Sequence, residues 1–486
     1  MKKKPIDKKG KESKEKAREF AKFAPGFESQ DKEVQYEDLE IKGDIPEWLE
    51  GAFIRTGPAL YELEKQNYNH WFDGQAMLHK FAFNNGKVSY HNKFLESDAY
   101  KLGKINGKVC IKEFATDPCQ TLFQKVKSFF VPPRSTDNGN ISIITYGDEN
   151  LATSETPLPI AFDKETLETL GHFEFSDDLK GHIQPAHPHY DDEGYVYSYL
   201  LKFGPVSKYS LFKMKPDDRE RKVFAEMKTR NPSYMHSIGM SKNYIIVTEF
   251  PETINPMELA FLNKPLIKNY HWKPELGTKY RIFSKASGEL VTMEGDAVFG
   301  FHHVNAYEED QKIHVDFVAF KDASVLDRLY LAELRSNHPT HATGYLSRAT
   351  LDLNQPNQKV ELKRLSDKLI ELPRIYYEKY NSKPYRYVYG AGNTVSGNFL
   401  DDITKIDVET GDSKKWYHEH CYPGEPIFIP SPDNEAEDDG VVVSVVLDTD
   451  AKNTFLLVLD AASMEELGRA IVPEVLPFGY HGSYLN

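Results

Sequence analysis

Histidine is the side chain whose placement first suggests chemistry in this chain. There are 17 of them, and an isolated histidine is ordinarily a surface residue or a hydrogen-bonded part of the core. Four contexts stand apart, each a tight segment at or beside a strand-like run: His187 in QPAHPHYDDEGYVY, His236 in NPSYMHSIGMSKNYIIVTE, His302 in FGFHHVNAYEED and His481 in LPFGYHGSYLN. Imidazole ligation suits iron, zinc or copper. No HExxH segment, no cysteine-rich cluster and no spacing of two histidines with a carboxylate is present, so the familiar zinc and iron motifs do not apply. The separations are 49, 66 and 179 residues. The first two resemble one propeller blade each and the third several. Ligands dealt one per blade would converge on a propeller axis.

The elements that must position them read as β. From about residue 35 onward, short runs rich in β-branched and aromatic residues recur between Gly, Asn, Asp and Pro: 87–94, 141–147, 195–203, 244–250, 313–320, 385–392, 440–448 and 454–460. Helical candidates are few, at 11–23, 47–53, 121–130 and 256–266. Many short strands with little helix in a chain of 486 residues predict an all-β propeller. No exact WD or kelch repeat is visible.

Composition narrows the class. Hydrophobic residues are 40% and charged residues 28%, as in a folded globular protein. No run approaches the roughly 18 apolar residues of a membrane span, and the basic N-terminus lacks the apolar core of a signal peptide. These features predict a cytoplasmic protein. Cys110, Cys119 and Cys421 are odd in number and widely spread, which argues against a disulfide framework and a thiolate zinc site. Net charge is −14, with +6 in residues 1–18 and −20 in the remainder. An acidic body argues against nucleic acid as a principal partner. The expected division is a basic, disordered leader over 1–35 and one propeller over 36–486.

Beyond these features, the chain resembles the carotenoid cleavage oxygenase family, in the animal-type branch that includes the β-carotene oxygenases and the isomerohydrolase of the retinal pigment epithelium. The resemblance rests on segments that occur in order: GAFIRTGPALYE (51–62), YNHWFDGQAMLHKF (68–81), NLATSETPLPIAFDKETLET (150–169), AHPHYDDEG (186–194), SYMHSIGMS (233–241), FHHVNAYEED (301–310), the run at 422–446, and YHG (480–482). It implies a seven-bladed propeller with a helical and loop cap over non-haem Fe(II). The implied ligands are His187, His236, His302 and His481. In each doublet the family uses the first histidine, which leaves His189 and His303 structural. The resemblance also implies Glu155, Glu371 and Glu425 behind His236, His302 and His481 respectively, with His187 lacking an acidic partner. A carboxylate on the far ring nitrogen fixes the tautomer and orientation of a ligating imidazole.

The implied reaction inserts both atoms of O2 across a conjugated C=C bond of a carotenoid or apocarotenoid, giving aldehydes of the retinal type, with central 15,15′ cleavage favoured. Eccentric cleavage, stilbene cleavage and non-oxidative retinoid isomerohydrolysis are the alternatives within the family. A non-catalytic carotenoid binder and a zinc hydrolase are the alternatives outside it. A polyene has no polar group at the reacting bond, so an apolar tunnel must set the register. The 29 Phe, 28 Tyr and 4 Trp could supply its walls. Extraction of such a substrate predicts transient, peripheral membrane contact through 116–133 or 254–272. Cys119 matches a lipid-modified position of the vertebrate isomerohydrolase. The leader has no counterpart in the family.

Overall fold

The computed structural model describes residues 21–119, 134–262, 264–336, 344–394 and 399–486. Seven antiparallel sheets of four to six strands form the blades of a β-propeller, with a separate two-stranded ribbon, Glu252–Ile254 with Tyr270–Trp272, beside them. Both chain ends close the ring. The last strand, Gly482–Leu485, pairs with Gly51–Leu60 as the innermost strand of blade 1. Glu40–Gly43 adds to the outer edge of blade 7 by pairing with Glu466–Val472. Blades 2 to 6 begin at Ser142, His189, Gly239, His303 and Glu371, and blade 7 begins at Cys421.

Burial follows from a blade being sandwiched between two others. Inner strands lose both faces to neighbours, so Gly440–Asp448 reads as an almost unbroken apolar run and is buried along its length. Outer strands keep one face in water and alternate, as Lys222–Thr229 does. The predicted runs fall on strands within a residue or two: 87–94 is the strand Lys87–Phe94, and 440–448 is Gly440–Asp448.

Strand polarity decides where the chemistry sits. The start of each innermost strand and the connection between each blade's second and third strands lie at the same end of the ring. The described parts of the long excursions at 61–74, 250–277, 320–344 and 393–401 therefore cover that end and form the cap. His70 ties two of them together. Its Nδ1 accepts from the Phe72 N–H at 3.1 Å, and its Nε2 lies 3.0 Å from the Leu326 carbonyl. Burial drives the His70 pKa down to about 3, so this link is a neutral hydrogen bond. Asp73 accepts from the Ala115 N–H and the Thr116 hydroxyl, fixing a third segment.

Three expectations change here. The segment 47–53 is a turn followed by strand, because Gly51 at φ +91° sits against the Leu485 carbonyl and starts the strand Gly51–Leu60. The helical candidate at 256–266 shortens to Pro256–Leu262. The boundary at residue 35 also moves. Phe23 and Phe27 are buried against Trp71, Phe399 and Phe478, so residues 21–35 pack on the body. An aromatic pair in AKFAPGF outweighs the lysines before it. Residues 1–20, and the segments 121–130 and 120–133 with them, lie outside the described residues.

Candidate metal centre

The four predicted histidines come together on the axis. Each lies one to three residues ahead of an innermost strand: His187 before blade 3, His236 before blade 4, His302 before blade 5 and His481 before blade 1. Their ligand-capable nitrogens all fall within 4.8 Å of one another. The Nε2 atoms of His187 and His236 are 3.0 Å apart, and those of His302 and His481 are 3.1 Å apart.

The three predicted glutamates stand behind three of these rings. Glu155 Oε1 is 2.6 Å from His236 Nδ1, Glu371 Oε2 is 2.5 Å from His302 Nδ1, and Glu425 Oε1 is 2.6 Å from His481 Nδ1. Glu155 comes from the connection between the second and third strands of blade 2, Glu371 opens blade 6, and Glu425 interrupts the first strand of blade 7. Every one of the seven blades thus delivers one side chain to the axis. His187 has no carboxylate on its ring among the described residues.

Each carboxylate is itself held. Glu155 also accepts from the Tyr234 hydroxyl at 2.9 Å. Glu425 is fully buried and forms a two-point pair with Arg374, at 2.7 and 3.1 Å, while the Gly482 N–H donates to it at 3.0 Å. Burial pushes the Glu425 carboxyl upward and Arg374 opposes that shift. With guanidinium and amide donors on both oxygens, the carboxylate is the form that fits. Glu371 Oε2 accepts the Leu372 N–H at 2.6 Å, and Leu372 itself adopts φ +51°. A left-handed backbone at a leucine costs about 1–3 kcal/mol. Glu371 Oε1 is buried without a partner among the described residues.

Hydrogen-bond accounting tests whether a cation fits. Glu371 and Glu425 accept only, so Nδ1 of His302 and of His481 carries the proton. The two neutral rings then face each other with bare Nε2 lone pairs. Burial, reinforced by the neighbouring histidines, holds His187 and His481 well below the usual imidazole range, which disfavours a proton between the rings. A metal cation satisfies all four nitrogens at once. With metal–imidazole bonds of about 2.1 Å, ligands at right angles lie about 3.0 Å apart and tetrahedral ones about 3.4 Å. The observed contacts match the right-angle spacing.

His189 and His303 lie nearby but do not join. His189 hydrogen-bonds the Tyr377 hydroxyl and the Ile238 carbonyl, both at 2.9 Å. His303 bonds Ser237 Oγ at 2.8 Å and Thr248 Oγ1 at 2.9 Å. Neither ring has a nitrogen left for a metal. Arg374, unremarked in the sequence, is the missed member of the site. A buried glutamate such as Glu425 needs a cationic partner, and an arginine three residues after Glu371 was the available signal.

On the cap side, His236, His302 and His481 open onto a cavity with about 870 Å³ of atom-free space, counting its mouth. Trp71, Phe72, Phe301, Phe320 and Phe399 are among the side chains that line it. The site can therefore hold an ion on one side and a long apolar molecule on the other.

Comparison with known proteins gives a consistent picture. The family model described as retinal pigment epithelial membrane protein matches residues 27–486. Carotenoid isomerooxygenase of Galleria mellonella is 34% identical over 481 residues, covering 92% of this chain and 93% of the relative. The β,β-carotene 15,15′-dioxygenase of Gallus gallus is 33% identical over 507 residues, covering 92% and 95%. A solved structure of a Glu-to-Gln variant of Synechocystis apocarotenoid oxygenase superposes with a TM-score of 0.86 at 25% identity, covering 96% of this chain and 100% of the other.

Proposed function

The chain belongs to the retinal pigment epithelial membrane protein family, whose members include carotenoid-cleaving dioxygenases, and on that premise we propose that it cleaves a conjugated C=C bond of a carotenoid or apocarotenoid. In this reading His187, His236, His302 and His481 hold Fe(II), and Glu155, Glu371 and Glu425 fix three of the rings. When bound, the iron supplies the capacity to react O2 with a closed-shell alkene, so that both oxygen atoms end in two carbonyl products. Central 15,15′ cleavage to retinal-type aldehydes is the favoured outcome, as in the Gallus gallus relative's name.

The observation that carries this reading is the facing pair of His302 and His481 lone pairs beside an aromatic cavity. The right-angle spacing of the nitrogens supports an ion with positions left for other ligands, and argues against a tetrahedral zinc hydrolase. The cavity walls bind the polyene by burying it. They also exclude water, and their shape sets which bond lies beside the centre. A pure carotenoid binder would have no use for carboxylate-oriented histidines. Isomerohydrolysis and eccentric cleavage remain the alternatives inside the family.

Among the described residues no helix is long and apolar enough to cross a membrane. We place the enzyme in the cytoplasm, with transient contact to the bilayer from which its substrate comes. Within 254–272, Met257 is exposed and Lys268 reaches Asp327, beside the cavity's Arg328 and Leu329. An apolar tip beside lysines suits a headgroup boundary. The other predicted contact, 116–133, lies outside the described residues from 120 on.

The test is anaerobic reconstitution with Fe(II), followed by product analysis after O2 is admitted to enzyme with β-carotene or an apocarotenal. Two aldehydes, each carrying one atom of labelled O2, are expected. Products labelled from water, or an unchanged polyene, would overturn the reading.

A further inference from the structure

The cavity beside the histidines is walled by apolar side chains but carries one guanidinium. Arg328, the last residue of the short helix Val325–Arg328, lines it next to Leu329, Leu334 and Phe399. It is half-buried and has no hydrogen-bond or ion-pair partner among the described residues. Its neighbour Asp327 is turned outward to Lys268 Nζ at 3.2 Å. The one acid among the described lining residues, Glu371, is engaged by His302 and the Leu372 N–H. The Arg328 donors are therefore free for whatever enters.

A guanidinium offers five N–H donors, stays charged, and is costly to desolvate without an acceptor. A hydrocarbon polyene would cover those donors with C–H groups and leave them unsatisfied. An oxygen at the polyene's end would accept from them. We propose that Arg328 is a specificity-determining residue that receives the oxygen-bearing terminus of the substrate, so that polyenes ending in a carbonyl, carboxylate or hydroxyl are preferred over hydrocarbons. This rests on the carotenoid-cleaving function proposed above. It adds a cause for register: a chain held only by apolar walls can slide along them, whereas one anchored at its end presents a fixed bond to the centre. The contact that selects the substrate thereby also selects the bond.

The test separates binding from turnover. Full-length, iron-loaded enzyme is kept anaerobic and titrated with an apocarotenal, the matching apocarotenoic acid and a hydrocarbon polyene of equal length, following tryptophan quenching, to which Trp71 in the cavity wall contributes. Wild type should bind the two oxygenated ligands about 10- to 100-fold more tightly than the hydrocarbon, in the range of hydrogen bonds to a charged group. Arg328→Met should erase that preference without weakening hydrocarbon binding, which also shows the cavity intact. After O2 is admitted, Arg328→Met should spread cleavage of the apocarotenal over neighbouring bonds, and Arg328→Lys should restore part of the preference. Equal affinity of wild type for all three ligands would overturn the role of Arg328 and leave the proposed function standing. Failure of all three to bind would overturn both.

Discussion

His302 and His303 are adjacent in the chain, and His187 and His189 nearly so, yet the two members of each doublet have opposite chemistry. At His303 both ring nitrogens are spent on neutral groups. Ser237 donates to the Phe301 carbonyl, so it must accept from His303 Nδ1–H, and Thr248 donates to Nε2. At His302 only Nδ1 is spent, and its partner is a carboxylate. Between His302 and His303 the alternation of extended backbone turns one ring to the axis and the next into the wall between blades. The comparison teaches that a ligand is recognised by what remains after hydrogen bonding is complete: a lone pair with no donor near it. His189 and His303 have none to give.

The sharpest way to break the comparison is to remove one ring at a time. Alanine at His187, His236, His302 or His481 should cost nearly all bound iron and lower activity by several orders of magnitude, since no other described nitrogen can replace the lost one. Metal analysis on purified protein checks this directly. A variant at His189 that loses iron while His187→Ala keeps it would invert the assignment within that doublet.

Next in size are the carboxylates. Glu155→Gln, Glu371→Gln and Glu425→Gln keep shape but remove charge, and each should weaken metal affinity or activity by roughly 10–100-fold. Glu425→Gln should be the worst. It also strands Arg374, a half-buried cation whose pair is otherwise complete. Competition of the apo variants for a chromophoric chelator ranks them, and equal affinity across wild type and all three would remove the carboxylate argument.

How far the sequence reaches is seen in the same residues. Strand runs were legible because sandwiched blades demand unbroken β-branched and aromatic segments. The innermost strands His189–Tyr190 and Gly239–Met240 are two residues long and leave no periodicity to read. Blade number, the choice within doublets and the pairing of glutamates with histidines came from family resemblance, because spacing alone cannot say which loops meet on an axis. Arg374 offered only its nearness to Glu371 as a signal, for a related reason. Its partner Glu425 is 51 residues away, and the contact is made where the consecutive blades 6 and 7 meet at the axis. The packing of residues 21–35 was hidden by composition, since a lysine-rich approach masks two phenylalanines that fill a gap beside Trp71.

Smaller effects sharpen the other side of the comparison. His303→Ala should leave iron content near that of wild type but cost about 1–3 kcal/mol of stability, because Ser237 and Thr248 lose buried partners. Chemical denaturation of the metal-free protein measures it. Iron loss equal to that of His302→Ala would show that the wall and the axis are one unit.

Comparable in size is the stabilisation conferred by the metal itself, and it joins both halves of the argument. A ligand that binds only the folded state adds about 2.7 kcal/mol at one hundred times its Kd. Unfolding entropy scales with chain length, at about 2.1 cal/mol/K per residue. In a chain of 486 residues the increment therefore moves Tm by only about 3 °C. That shift should appear when Fe(II) is added anaerobically to wild type, and it should survive in His303→Ala even though that variant starts from a lower Tm. It should vanish in His187→Ala, whose ring has no carboxylate behind it and whose loss leaves the three glutamate-backed histidines intact. A full shift in His187→Ala would mean that those three rings suffice, and that His187 belongs with His189 among the structural histidines.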